Sequence, residues 1–124
     1  MSRVGTDEAR EHRIHMEIIV DCYGEDERAM GWYYYLEGKL AFPFLARCIA
    51  RRAISPLKDA DEIDVLGMAP EEECEREVFV VMRWEREGLA VPLSQLEVIH
   101  AEDDGETQEA VGDWLYWTKR GYRF

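Results

Sequence analysis

Between Glu25 and Leu40 apolar residues return at helical intervals, with Ala29, Tyr33, Leu36 and Leu40 on one stripe and Met30 and Tyr34 beside it. Gly24 precedes this run, and Gly38 and Pro43 close it. Upstream, Ile14, Ile18 and Cys22 recur at the same spacing and predict a first helix from Thr6 to Tyr23, opened by the acidic pair Asp7-Glu8. In such a helix Glu17 and Asp21 form an i, i+4 row beside the apolar face. The β-branched run Ile18-Ile19-Val20 keeps a strand open as the alternative there. A last helix starts at Glu106, with Ala110, Trp114 and Trp117 on one stripe, Val111 and Leu115 next to it, and Glu106, Glu109 and Asp113 on the opposite face.

Between these helices the period falls to two. Phe44 to Ile54 alternates imperfectly, and Glu62–Met68, Glu77–Arg83, Leu89–Pro92 and Leu96–Ile99 follow as short strand-like runs joined by turns of hairpin length. Closely spaced short strands of this kind make a small curled antiparallel sheet, SH3-like in layout. With helices at both ends the chain reads as one α+β domain over residues 1–124, residues 1–6 forming a tail with nothing to bury. Tyr122 and Phe124 are apolar enough to fold back onto it.

Composition narrows the function. The chain has 124 residues, 47% of them apolar, enough for one core without disulfide or metal staples. Its 27 Asp and Glu against 15 Lys and Arg give a formal charge of -12, which repels nucleic acid and anionic membrane surfaces. Such an excess serves to attract cations, to dock a basic protein, or simply to keep the chain soluble. Cys22, Cys48 and Cys74 form no Cys-x-x-Cys unit and cannot all pair within one chain, which predicts reduced thiols. There is no apolar run of signal-peptide or membrane-spanning length, so the expected location is the cytoplasm.

Four acidic clusters stand out: Glu25-Asp26-Glu27, Asp59-Asp61-Glu62-Asp64, Glu71-Glu72-Glu73-Glu75 and Glu102-Asp103-Asp104-Glu106. Any one of them alone reads as a solvated loop or a helix N-terminus. A fold that converges two of them is destabilised by repulsion unless a cation joins them. None is an EF-hand. In the loop starting at Asp59, Ile63 holds the fifth position and Asp64 stands where Gly is required; around Gly105 the frame would begin at His100 and end at Val111.

No enzyme is apparent. Ser94 and Cys74 lack an activating base, the histidines at 12, 15 and 100 are too scattered for zinc, and no Gly-rich phosphate loop occurs. Trp32-Tyr33-Tyr34-Tyr35 point in four directions on a helix, which suits packing and not a stacking platform. Arg47, Arg51 and Arg52 make a basic patch, read first as partners for nearby carboxylates.

Several separated blocks carry a family resemblance: DCYGEDERAMGWYYYLEGKLAFPF from Asp21, ARCIA around Cys48, Pro56-Leu57, the segment from Gly67 to Glu97, and ETQEAVGDWLYWTKRGYRF at the end. Together, over residues 13–124, they resemble the CcbP-type calcium-binding proteins, small acidic proteins without an EF-hand. The resemblance implies an intracellular buffer or regulator that holds Ca2+ through clustered surface carboxylates. The alternative is an acidic module that docks a basic protein partner and has no specific ion site. Glu37 aligns with the family's block, where relatives often carry a further acid and this chain has Gly38, which implies weaker binding there. The candidate ligands are Asp21, Glu25, Asp26 and Glu37 around one helix pair, and Asp59, Asp61 and Asp64 before a strand.

Overall fold

A computed structural model describes residues 7–84 and 87–120. The expected tail at residues 1–6, the cap at Thr6 and the return of Tyr122 and Phe124 lie outside the described residues. The chain opens with helix α1, Glu8–Arg13, capped by the Asp7 carboxylate, which accepts from the Arg10 amide at 3.0 Å. It widens into a π-helical turn, Ile14–Ile18, closed by the Ile19 amide donating to the Ile14 carbonyl at 2.9 Å. The wider turn lets Ile14, Ile18 and Ile19 all reach the core. The first helix is therefore shorter than its apolar spacing predicts: it ends inside the β-branched run, where χ1 crowding weakens a helix, and no strand forms there. Asp21 follows with φ of 59°, so it does not stack over Glu17.

Helix α2, Glu25–Lys39, buries Ala29, Tyr33 and Leu36 of the predicted stripe, with Leu40 just past its end, but Trp32 is buried beside them and Met30 and Tyr34 stay exposed. Gly31 sits where this helix meets the π turn: a Cβ at Gly31 would lie 2.6 Å from the Ile18 carbonyl oxygen and 3.3 Å from the Cys22 sulfur. Gly31→Ala would gain up to about 1 kcal/mol of helix propensity and lose about 1–3 kcal/mol to overpacking. Net destabilisation is expected, read as a lower denaturation midpoint; an unchanged or raised midpoint would contradict this packing.

Five strands follow: β1 Phe44–Cys48, β2 Glu62–Met68, β3 Phe79–Trp84, β4 Glu87–Pro92 and β5 Leu96–His100. All pairings are antiparallel in the order β4-β3-β2-β1-β5. The edge strands β4 and β5 are joined only by the turn Leu93–Gln95, so the sheet must curl to bring its two edges together, as an SH3-like layout does. β1 is shorter than its alternation predicts. It stops at Cys48 because the chain turns away there: the Ala50 carbonyl accepts from the buried Gln95 side chain at 2.8 Å, and Arg52 leaves to pair with Glu77 at 2.6 Å.

Strand alternation divides the apolar side chains between two clusters. Val78, Val80 and Met82 face the main core with Trp32, Leu36, Val65 and Trp114, while Phe79 and Val81 turn to a smaller cluster built on Tyr33, Ala69 and Cys74. That smaller cluster underlies the site described below.

Helix α3, Glu106–Lys119, is set by Asp103, whose carboxylate accepts from the amides of Gly105 and Thr107 and from the Thr107 hydroxyl at 2.6–3.0 Å. The Thr107 hydroxyl in turn accepts from the Ala41 amide at 2.7 Å, tying the end of α2 to the start of α3. These bonds, the Thr107 hydroxyl first, hold the Asp103 carboxyl below the ordinary aspartate range. A depressed folded-state value stabilises above the unfolded value and is lost as pH falls through the folded one. The melting-temperature advantage of wild type over Asp103→Asn should be full at pH 7 and shrink progressively as the pH falls below about 4, the ordinary aspartate value; a gap independent of pH would refute the linkage.

Asp113 corrects the surface reading of α3. Glu106 and Glu109 are 62% and 54% exposed, but Asp113 is 0% exposed. Its two oxygens accept from Arg10 at 2.8 Å and from Arg13 at 2.7 and 2.8 Å, which pins α1 against α3. Gly112 makes room for this, since a Cβ there would lie 2.8 Å from the Arg10 guanidinium.

Candidate metal centre

The first turn of α2 faces the short 3-10 turn Glu71–Glu73, which follows β2, across a cleft of about 310 Å³. Asp26 lines it from the helix, and Glu71, Glu72 and Glu75 from the other side. Ala29, Met30, Tyr33 and Cys74 supply its apolar lining, with no Lys or Arg among the lining residues. Two acidic clusters far apart in sequence are thus brought together, and among the described residues no ion pair to Lys or Arg neutralises these four carboxylates.

Adjacent tyrosines fix the two walls. The buried Tyr33 hydroxyl donates to the Ala69 carbonyl at 2.7 Å, and the half-exposed Tyr34 hydroxyl donates to Glu71 Oε2 at 2.7 Å. Burial pushes the Tyr33 phenol up, with Cys74, Glu37 and Glu71 adding to it; the bond to Glu71 pushes up Tyr34. Burial likewise raises the Cys74 thiol, with Glu73 and Glu72 adding to the effect. The aromatic run divides as a helix requires. Trp32 is fully buried against Trp114 and Trp117, Tyr33 closes the small cluster, and Tyr34 faces the acidic turn.

The residues singled out in the sequence fall in different places. Asp26 lines the cleft. Glu25 and Asp21 are exposed nearby, Glu25 in the first turn of α2 and Asp21 in the preceding bend. Glu37 lies on the same helical stripe as Asp26 but eleven residues on, ~16 Å along the axis, too far for both to hold one ion. Its charge raises both the Tyr33 and the Tyr34 phenols, which places it beside those side chains and away from Asp26.

Asp61 and Asp64 line another groove, beside β2, and Asp59 is exposed in the turn before it. There Asp61 closes a turn by accepting from the Lys58 amide at 2.8 Å, and Asp64 pairs with Arg83 at 3.7 Å. The fourth cluster is partly spent on capping α3 through Asp103. Two arginines of the basic patch are spent too, Arg47 on Glu97 and Arg52 on Glu77, while Arg51 is exposed.

Glu71, Glu72 and Glu75 were visible in the sequence as an acidic cluster, but nothing local links them to Asp26. The link is the Tyr33 and Tyr34 hydrogen bonds, which span 36 and 37 residues. Among the described residues no three His, Cys, Asp or Glu side chains are already closed around one point, so the cleft is open and an ion would have to draw its carboxylates in. The donor set suits a hard cation: four carboxylates, with room for water to complete six to eight oxygens.

The three cysteines are free thiols, and no helix among the described residues is long and apolar enough to cross a membrane. Comparison with curated protein sequences gives no match. Two solved structures are similar to the chain: the crystal structure of Anabaena CcbP and a calcium binding protein in the calcium-binding form. Each is 44% identical with a TM-score of 0.83, over 100% of both chains. The CcbP family model, described as calcium binding, matches residues 12–118, and the chain belongs to that calcium-binding family.

Proposed function

We propose that this protein binds Ca2+ in the cleft between α2 and the Glu71–Glu75 segment, with Asp26, Glu71, Glu72 and Glu75 as the carboxylate donors, and serves as an intracellular calcium buffer or regulator. The observation that carries this reading is the convergence of two acidic clusters on one cleft that no cation lines. Bringing like charges together raises the energy of the folded protein, and a divalent ion relieves that repulsion. Asp21 and Glu25 add to the field at the helix end, and Glu37 marks a second position along α2. The groove of Asp61 and Asp64, with Asp59 in the turn before it, is the weaker alternative, because Asp61 and Asp64 already have partners.

An open, water-rich site of this kind belongs to the sensor range or weaker, on the order of micromolar to sub-millimolar. The reading is of a binding protein and not a catalyst: the Cys74 thiol is held protonated, and Ser94 accepts from Arg52 at 3.3 Å instead of meeting a base. A basic protein partner would be attracted by the same acidic field, in competition with the ion.

Isothermal titration of chelator-stripped protein with calcium, repeated in excess magnesium, tests the proposal. Saturable heat that survives magnesium is expected; its absence would remove the ion site and leave the basic-partner module.

A further inference from the structure

We propose that Tyr34 is a positioning residue for calcium, its hydroxyl holding the Glu71 carboxylate toward the cleft so that the ion meets a preset ligand. This rests on the reading of the cleft as the calcium site. Tyr34 donates to Oε2 of Glu71 at 2.7 Å, which leaves Oε1 for a cation. The donor is itself held in place. Its neighbour Tyr33 packs edge-on against it at 5.7 Å and is anchored by a buried bond to the Ala69 carbonyl, two residues before Glu71.

One tyrosine therefore fixes the backbone leading into the acidic turn, and the next fixes the first carboxylate on it. A glutamate side chain gives up rotamer freedom when it is immobilised on an ion. A hydrogen bond that has already limited that freedom lowers the cost of ligation. Partners that orient metal ligands change affinity by about 10–100-fold. Tyr34 is 50% exposed, so the lower end applies.

The same bond gives a second readout, because Tyr34 can help the ion only through Glu71. The experiment compares wild type, Tyr34→Phe, Glu71→Gln and the double variant as full chains stripped of metal, by calcium titration and by thermal unfolding.

Tyr34→Phe should bind calcium about tenfold more weakly at an unchanged melting temperature. In the Glu71→Gln background the same Tyr34→Phe change should cost no further affinity. Equal or tighter calcium binding by Tyr34→Phe would overturn the role, as would the same tenfold loss in the Glu71→Gln background. If Glu71→Gln weakens binding and Tyr34→Phe does not, the cleft stands and the tyrosine falls. Absence of calcium binding in wild type would overturn both.

Discussion

Replacing Asp113 with alanine is expected to cost about 3 kcal/mol of folding stability, the lower end of the range for removing one partner of a buried ion pair. Its carboxylate is the one fully buried charge identified among the described residues, and it answers two guanidiniums at once. Without it the two guanidiniums lose their shared buried anion, and Arg10 is left with Asp7 at 3.3 Å and Arg13 with Glu109 at 3.7 Å, both about half exposed. The lower end applies because the two arginines are 30% and 20% exposed, and water can reach them.

For a domain of this size the loss corresponds to roughly 10 °C in melting temperature. The contrast that identifies the cause is the triple replacement R10M/R13M/D113L. It removes all three charges and should lie within about 1 kcal/mol of wild type or above it, since exchanging a buried ion cluster for apolar packing is often neutral or stabilising. If the triple variant were as unstable as Asp113→Ala, lost packing and not a stranded charge would be the explanation. Equal unfolding midpoints for Asp113→Ala and wild type would dismiss the cluster as a source of stability.

Asp113 also shows where sequence reading stops. Its spacing from Glu106 and Glu109 places all three on one helical face, and local periodicity has no means of separating them. What separates them is α1, whose Arg10 and Arg13 arrive from about a hundred residues away. The elements themselves were legible because local rules agree with the fold. The stripe of α2, the turns around β2 to β5 and the start of α3 all sit where period and punctuation put them.

The departures are places where a tertiary contact overrode local preference. The first helix widens and stops so that three isoleucines reach the core, and β1 ends where Gln95 and Glu77 draw the chain aside. The candidate site was half legible for the same reason. Acidic clusters can be counted in a sequence, but which two of them meet depends on Tyr33 and Tyr34 reaching across the fold.

Glu72→Gln and Glu75→Gln should each weaken calcium binding about thirtyfold. A divalent ion and a carboxylate ~4 Å apart attract by about 2 kcal/mol even at the dielectric of water, and exchanging the acid for its amide removes that attraction while keeping the shape. The double variant should lose several hundredfold, short of the full product because the remaining carboxylates move in. Glu37→Gln, ~16 Å along α2 from Asp26, should affect only a second binding event.

Asp59→Asn with Asp64→Asn should change affinity less than about threefold, since charges beyond a Debye length of ~8 Å are screened at physiological salt. Calcium titration at constant ionic strength checks the series. The pattern matters more than any single value. Large losses at Glu72 and Glu75 with little at Asp59 and Asp64 place the ion between α2 and the acidic turn. The reverse pattern would move it to the groove beside β2, despite the partners that Asp61 and Asp64 already have there. Uniform small losses everywhere would mean a diffuse acidic field with no ordered site, and the repulsion built into the cleft would then have to be offset by counterions alone.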